Sequence, residues 1–271
     1  PKYKKRKDKN TYTTSNVNEN IRIGGKNKIR LPKLGYVKAV LHRKLPYNSK
    51  IKRAIIKEDK TGKYYVSFVL EVEKTDKKIE VKKEKIVGLD YKVGEIFVTS
   101  KGDTPKFGRP YKSALRKLRY LEKKLSLKEK FSKGYWNFIR KIRILHQKVS
   151  RKRKDFLHKL SDSLSKKYEY IGIEDISLKE IASKLSTGIN VYETRYAGFI
   201  EMVKYKTCQK VVSIDKWFPS SKLCSKCGNK KKKLKLEQRI YKCSKCGLVI
   251  DRDENAAINI ANESLRLLNR G

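Results

Sequence analysis

Four cysteines constrain this chain more than any other feature. Cys224-Ser-Lys-Cys227 and Cys243-Ser-Lys-Cys246 are two CxxC pairs separated by fifteen residues. That spacing fits a structural zinc site, in which each pair forms a knuckle, the intervening residues form a hairpin, and four sulfurs close a tetrahedron. Ligation by Cys224, Cys227, Cys243 and Cys246 fills the coordination shell, so such a zinc has no open position for chemistry. Two disulfides are the competing arrangement, but four of the five cysteines fall in CxxC pairs, as thiolates holding metal in a reducing compartment do. The fifth, Cys208, is expected to be a small buried residue. The second pair leads directly into Asp251-Arg-Asp253-Glu-Asn255-Ala-Ala, which places carboxylates at the start of a helix.

Lys and Arg total 70 against 28 Asp and Glu, a net charge of +42 spread over most of the sequence. A polyanion is the partner such a chain attracts, since each neutralised phosphate releases condensed counterions. A solvated surface needs only a modest charge. A membrane surface fits poorly, because the basic residues do not gather on one amphipathic helix and no apolar run reaches the ~18 residues of a span. The basic N-terminus has no apolar core of the kind a signal peptide needs. Zinc ribbon, charge and helix-borne acids together imply a metal-dependent enzyme acting on nucleic acid, where a ribbon alone would suit a binding module equally well.

Residues 1–85 read as short strands: 21–23, 28–31, 36–41, 50–58 and 64–73, the last two flanking the turn signal Asp59-Lys-Thr-Gly62. They predict a small β-barrel or part of one, with 74–85 a charged linker. Ile86-Val-Gly-Leu-Asp90 is a short apolar strand ending in acid, and 95–100 pairs back after a turn at Gly94. Residues 111–166 carry apolar residues at helical spacing, broken near Ser132-Lys-Gly134, and predict a helical hairpin with one apolar seam that includes Trp136. His146 and His158 are read as ordinary helix residues. Tyr170-Ile-Gly-Ile-Glu174 is a second apolar strand ending in acid. Residues 177–210 read as helices, with Phe199, Met202, Val203 and Tyr205 on one face; 210–215 is a strand and 251–268 a terminal helix.

Asp90 and Glu174 each end an apolar strand, and Asp253 opens a helix. Three acids far apart in sequence can converge at the end of one sheet and hold two divalent ions about 3.5–4 Å apart, which stabilise attacking and leaving oxygens in phosphodiester hydrolysis. Magnesium and manganese prefer hard oxygen ligands and share them with phosphate. Each acid alone is weak evidence, and Asp251 reads equally well as a helix cap. The Lys230–Lys233 tract between the cysteine pairs is open between a phosphate contact and a solvated loop tip.

These segments resemble the TnpB proteins of insertion sequences, relatives of the type V CRISPR effector nucleases. The resemblance is carried by Val87-Gly-Leu-Asp90 with Gly94, Ile173-Glu174-Asp175-Ile176, Asp215-Lys-Trp-Phe-Pro-Ser-Ser221, both CxxCG segments and Asp251-Arg-Asp-Glu-Asn-Ala-Ala-Ile-Asn-Ile260, in order along essentially the whole chain. It implies an α/β chain: an RNase H-like (RuvC) nuclease domain over 86–210 and 251–271, a strand and zinc-ribbon insertion over 211–250, and a partial β-barrel wedge domain over 1–85. It further implies catalytic acids at Asp90, Glu174 and Asp253 that bind Mg²⁺ or Mn²⁺. Asp253 is taken over Asp251 because the third acid of the family stands two residues before the Asn, here Asn255. The implied activity is cleavage of target DNA directed by a guide RNA derived from the element itself, in the prokaryotic cytoplasm and at the nucleoid. Family members usually carry a wedge strand and a helical recognition domain before the segment resembling Pro1, so the chain is expected to be a fragment or a truncation. Two other readings stand beside nuclease: a nuclease-inactive RNA-guided DNA-binding regulator, and a remnant of a mobile element. A recombinase-type transposase has no support, since no catalytic Tyr or Ser stands out.

Overall fold

The computed structural model describes residues 11–25, 27–42, 44–72, 83–184, 188–208, 210–234 and 238–270. Most of the expected linker at 74–85 therefore lies outside the described residues. The chain divides into two compact units, Pro1–Ile79 with Phe131–Ile144 and Glu80–Lys130 with Leu145–Gly271.

The first unit contains β1 (Thr11–Ser15), β2 (Arg22–Gly24), β3 (Lys28–Leu31), β4 (Gly35–Lys38), β5 (Lys50–Glu58) and β6 (Tyr64–Glu71). They form two three-stranded antiparallel sheets, ordered β1-β5-β6 and β2-β3-β4. In β3 the alternation of Lys28 and Arg30 with Ile29 and Leu31 sends charge outward and apolar groups inward, as the period of two requires. Ile29 and Leu31 join Ile21 and Ala54 in the core of this unit. The β5–β6 turn falls at the expected Asp59-Lys-Thr-Gly62: Asp59 Oδ1 accepts from the Thr61 and Lys63 N–H groups, and Gly62 takes φ +82°, a value that favours glycine. β1 was not expected, because Thr-Tyr-Thr-Thr-Ser has no apolar alternation.

The predicted helical hairpin is α1 (Pro110–Ser126) and α2 (Lys133–Lys167), with Leu118, Leu121, Val149, Leu157 and Leu164 buried. Trp136 departs from the expected seam: it is exposed, and its ring lies 6.2 Å from that of Phe131 and 5.5 Å from that of Tyr135. Residues 133–144 of α2 belong to the first unit and the rest to the second.

In the second unit β7 (Ile86–Tyr91), β8 (Phe97–Thr99), β9 (Tyr170–Glu174) and β10 (Val211–Ile214) form one sheet ordered β10-β9-β7-β8. β7, β9 and β10 are parallel and β8 is antiparallel to β7. The near-continuous apolar runs of β7 and β9 suit strands covered on both faces. α3 (Leu178–Lys184), α4 (Gly188–Thr194) and α5 (Tyr196–Lys206) follow β9, and α6 (Arg252–Leu268) ends the chain. From α5, Tyr196, Phe199, Ile200 and Val203 enter the core with Val87, Leu89, Phe97, Leu157 and Ile171, whereas Tyr205 is exposed. The buried Glu193 of α4 closes the start of α1, its Oε1 accepting from the N–H groups of Tyr111 and Lys112 at 2.8 and 3.0 Å. Cys208 is not buried as expected. It follows α5 with φ +52° and is exposed, because the chain turns out of the helix there toward β10. No helix of the described residues is long and apolar enough to cross a membrane.

Candidate functional site

The parallel pairing of β7 and β9 sets Gly88 opposite Gly172 and Leu89 opposite Ile173. One step further along the same register, Asp90 and Glu174 stand side by side at the C-terminal end of the sheet. Side chains two apart on a strand share a face. Asp90 therefore projects on the face of Gly88, and Glu174 on that of Gly172. That face is the one α6 covers. A Cβ at Gly88 would lie 2.0 Å from the Ala257 carbonyl oxygen, and one at Gly172 would lie 2.2 Å from Ser264 Oγ. The two glycines let the helix backbone rest on the strands. Asp253, one turn before Ala257 on the same helix face, is thereby carried toward the two strand-end acids.

Electrostatics record the meeting. Desolvation, followed by the charges of Glu174 and Asp253, holds the Asp90 carboxyl well above the usual carboxylate range. Glu174 is also raised by desolvation, opposed by a hydrogen bond from Ser220 Oγ. Beneath them Tyr196 is buried, and its hydroxyl is pushed up by burial and then by the charges of Asp90 and Glu174. Asp253 is only 7% exposed and sits among cations: Arg252 Nη2 at 3.0 Å, with Lys92 Nζ and Arg239 Nη1 at 4.0 Å. Asp251 does something else. It is the exposed N-cap of α6, its Oδ1 accepting from the N–H groups of Asp253 and Glu254 at 2.9 and 3.1 Å. Carboxylates brought together at a desolvated sheet end are a hard-oxygen donor set suited to divalent cations.

The four sulfurs of Cys224, Cys227, Cys243 and Cys246 all lie within 4.8 Å of one another. Cys224 and Cys246 are 3.5 Å apart, and Cys227 and Cys243 are 3.6 Å apart. A tetrahedron with zinc–sulfur bonds of about 2.3 Å needs sulfurs about 3.8 Å apart, so the cluster is compatible with zinc. Among the described residues it is the one closed group of such ligands; the three carboxylates do not form a second. Each knuckle is closed by its own turn, with Gly228 at φ +71° and Gly247 at φ +72°. The hairpin differs in place from the expectation. β11 (Ile240–Lys242) and β12 (Val249–Asp251) pair around the second CxxC, and a single bridge, Leu223 to Lys230, closes the first. The buried Tyr241 packs between the pairs, its hydroxyl donating to Lys222 O at 3.2 Å. Backbone N–H groups of Cys246 and Lys245 draw the Cys243 thiol down to about 6, toward the thiolate that a metal needs.

Cysteine cluster and acids are tied together by residues that stand in the quoted motifs but whose structural work the sequence did not show. The fully buried Asn255 donates to Leu223 O at 2.7 Å and accepts from Ser225 N–H at 3.0 Å. Asn259, one turn on, donates to Ser220 O and Leu223 O at 2.7 and 2.8 Å. The same Ser220 bonds Glu174, so the strand-end acid, the loop into the first knuckle and the helix bearing Asp253 form one network. The signal available was the spacing of Asn255 and Asn259 on one helix face. Ser220 stands in the Asp215–Ser221 segment, but nothing there points to a partner 46 residues away.

By fold and site this is a mixed α/β protein carrying a four-cysteine module and a carboxylate cluster at the end of a parallel sheet. A family model described as a probable transposase matches residues 67–184, and one described as the Cas12f1-like TNB domain matches residues 196–260. A protein of Streptomyces pristinaespiralis named "Putative RNA-guided DNA endonuclease" is 31% identical over 224 residues, covering 80% of this chain and 54% of its own length. "Putative RNA-guided DNA endonuclease InsQ" of Escherichia coli is 25% identical over 279 residues, covering 96% and 67%. The fold matches a chain of the Cas12f1–sgRNA–target DNA complex with TM-score 0.56 at 20% identity, over 79% of this chain and 46% of that one. "TnpB-like protein L79" of Acanthamoeba polyphaga mimivirus is 32% identical over 122 residues, covering 42% of this chain and 23% of its own length, so this chain is similar to TnpB-like proteins. It spans about half the length of the first of these curated relatives.

Proposed function

We propose that this chain is the nuclease-bearing part of an RNA-guided DNA endonuclease of the TnpB type, associated with a transposable element. The observation that supports it most is the convergence of Asp90, Glu174 and Asp253 on one face at the end of the sheet, each desolvated or closely held by cations. In this reading the sheet β10-β9-β7-β8 with α6 is an RNase H-like (RuvC) core, β10 and 211–250 bring in a zinc ribbon, and the six strands of the first unit are wedge-like. The ribbon's zinc is structural, held by Cys224, Cys227, Cys243 and Cys246. The partners are guide RNA and target DNA, in keeping with the net charge of +42.

Asp90, Glu174 and Asp253 would hold two Mg²⁺ or Mn²⁺ ions, which when bound stabilise the attacking and leaving oxygens of phosphodiester hydrolysis. The chain's own residues prepare that site. Ser220 Oγ orients Glu174, α6 carries Asp253 to the strand ends, and Asp251 fixes the first turn of α6. Arg252 pairs with Asp253 and keeps a cation beside the acids, where a phosphate would arrive.

The test is to purify the chain, sequence any RNA that copurifies, and measure Mg²⁺-dependent cleavage of DNA complementary to it. Cleavage that is abolished by Asp90→Ala or Asp253→Ala, with DNA binding largely kept, is the expected result. Guided binding without cleavage in the unmodified, metal-supplied protein would instead make it a nuclease-inactive DNA-binding protein.

A further inference from the structure

Trp217 is 80% exposed, yet the loop that carries it is hydrogen-bonded at both ends. Asp215 follows Ile214, which pairs in register with Glu174, so the loop begins beside the acid. Trp217 N–H donates to Asp215 Oδ1 at 2.6 Å, and Phe218 N–H to Asp215 O at 3.0 Å. The loop ends at the buried Ser220, whose Oγ bonds Glu174 and whose carbonyl is held by Asn259. Ser220 is three positions after Trp217, so the Trp217 backbone is within about 11 Å of the residue that orients the acid. A mobile loop can leave an indole exposed by accident of averaging. A loop pinned at both ends presents it at one place.

The surroundings state what it presents to. Lys216 Nζ lies 5.1 Å from the centre of the Trp217 ring, and Lys222, Lys226 and Lys230 are exposed on the residues that follow. A flat apolar face with an ammonium group beside it matches a nucleobase with its phosphate. It does not match an apolar protein surface, which the lysines would repel from burial, nor an acidic peptide, which has no use for the indole. We propose that Trp217 is a stacking platform for an unpaired base of the DNA strand whose phosphate lies at the acid cluster, with Lys216 contacting the adjoining phosphate. This rests on the nuclease reading for the placement of that strand, though not for the stacking itself. Base–aromatic stacking is tolerant of sequence and depends on the ring, so a phenylalanine should serve and an alanine should not.

The chain has two tryptophans, so Trp136→Phe leaves Trp217 as the only indole reporter. In zinc-containing buffer without added Mg²⁺ or Mn²⁺, its emission is titrated with a single-stranded thymidine oligonucleotide and with an abasic strand of the same length. Quenching by the thymidine strand and not by the abasic one is expected. By anisotropy of labelled strands, Trp217→Ala should weaken thymidine-strand binding about 10-fold and Trp217→Phe only slightly, with abasic-strand binding unchanged in both. Equal quenching by both strands, or a Trp217→Ala chain that binds thymidine as tightly as the parent, overturns the proposal. No step of this experiment needs cleavage. A chain that cuts DNA without Trp217 quenching defeats the stacking platform alone, and one that quenches but never cuts with Mg²⁺ defeats the nuclease reading alone.

Discussion

The carboxylate of Asp251 receives two backbone N–H groups and is committed to capping the start of α6, whereas that of Asp253 is buried among cations beside two other acids. The Asp-Arg-Asp pattern shows both acids and does not say which is which; the cap geometry does. Asp251→Ala should therefore lower stability by about 1 kcal/mol, the usual loss of an N-cap. Asp253→Asn should leave the helix end intact, and thermal denaturation of the two variants makes the comparison. Equal losses would mean that the first turn of α6 is held by something other than Asp251. Asp90 and Glu174 were legible because each is an acid ending an apolar run, a placement that a strand in a core does not otherwise favour. Ser220, Asn255 and Asn259 were visible as motif residues, but their roles were not, because their work is done by contacts across long sequence separations.

At the scale of elements, the helix α6 and the strands β7 and β9 touch through glycines. A methyl at Gly88 would meet the backbone of Ala257 at 2.0 Å, and backbone cannot move aside as a flexible side chain can. Gly88→Ala should cost about 3 kcal/mol, the upper part of the overpacking range, and should move Asp253 away from Asp90. Chemical denaturation reads the first effect, and a stability unchanged from the parent would show that α6 does not rest on β7 as described. The strands were readable from their apolar runs, but the glycines within them read only as part of a motif, since the helix they admit lies at the far end of the chain. At the opposite end of the same sheet, Glu169 bonds Lys210 Nζ at 2.6 Å and faces Lys85 Nζ at 3.4 Å, which holds its carboxyl below the usual range. The unfolded chain thus binds the Glu169 proton at a higher pH than the native one. This contribution is complete above the ordinary glutamate range and is lost as pH falls through the lowered native value. Glu169→Gln should remove that part of the acid-limb loss of stability. Denaturation midpoints measured from acid to neutral pH would contradict this if the variant lost stability on acidification as steeply as the parent.

For the molecule as a whole, the cysteine cluster and the acid cluster are one construction. The knuckle of Cys224 and Cys227 is bonded to Asn255 and Asn259, and the loop before it to Glu174. The cysteine spacing made the zinc module the clearest element of the sequence, yet nothing in that spacing tells that its base holds the acid site. Cys243→Ser should therefore lower bound zinc and raise amide exchange over residues 218–250, and also in the first turns of α6, because metal binding and local folding are coupled. Exchange confined to the module would mean that the two parts are independent. The acid site itself is tested most directly by calorimetric titration of Mn²⁺ into the zinc-loaded chain. Saturable binding is predicted, weakened by more than about tenfold in each of Asp90→Asn, Glu174→Gln and Asp253→Asn, since even indirect partners of a metal ligand carry that much. Asp251→Asn should bind as the parent does. Absence of saturable Mn²⁺ binding, or binding that depends on Asp251 and not on Asp253, would contradict the convergence of Asp90, Glu174 and Asp253 on a shared ion site.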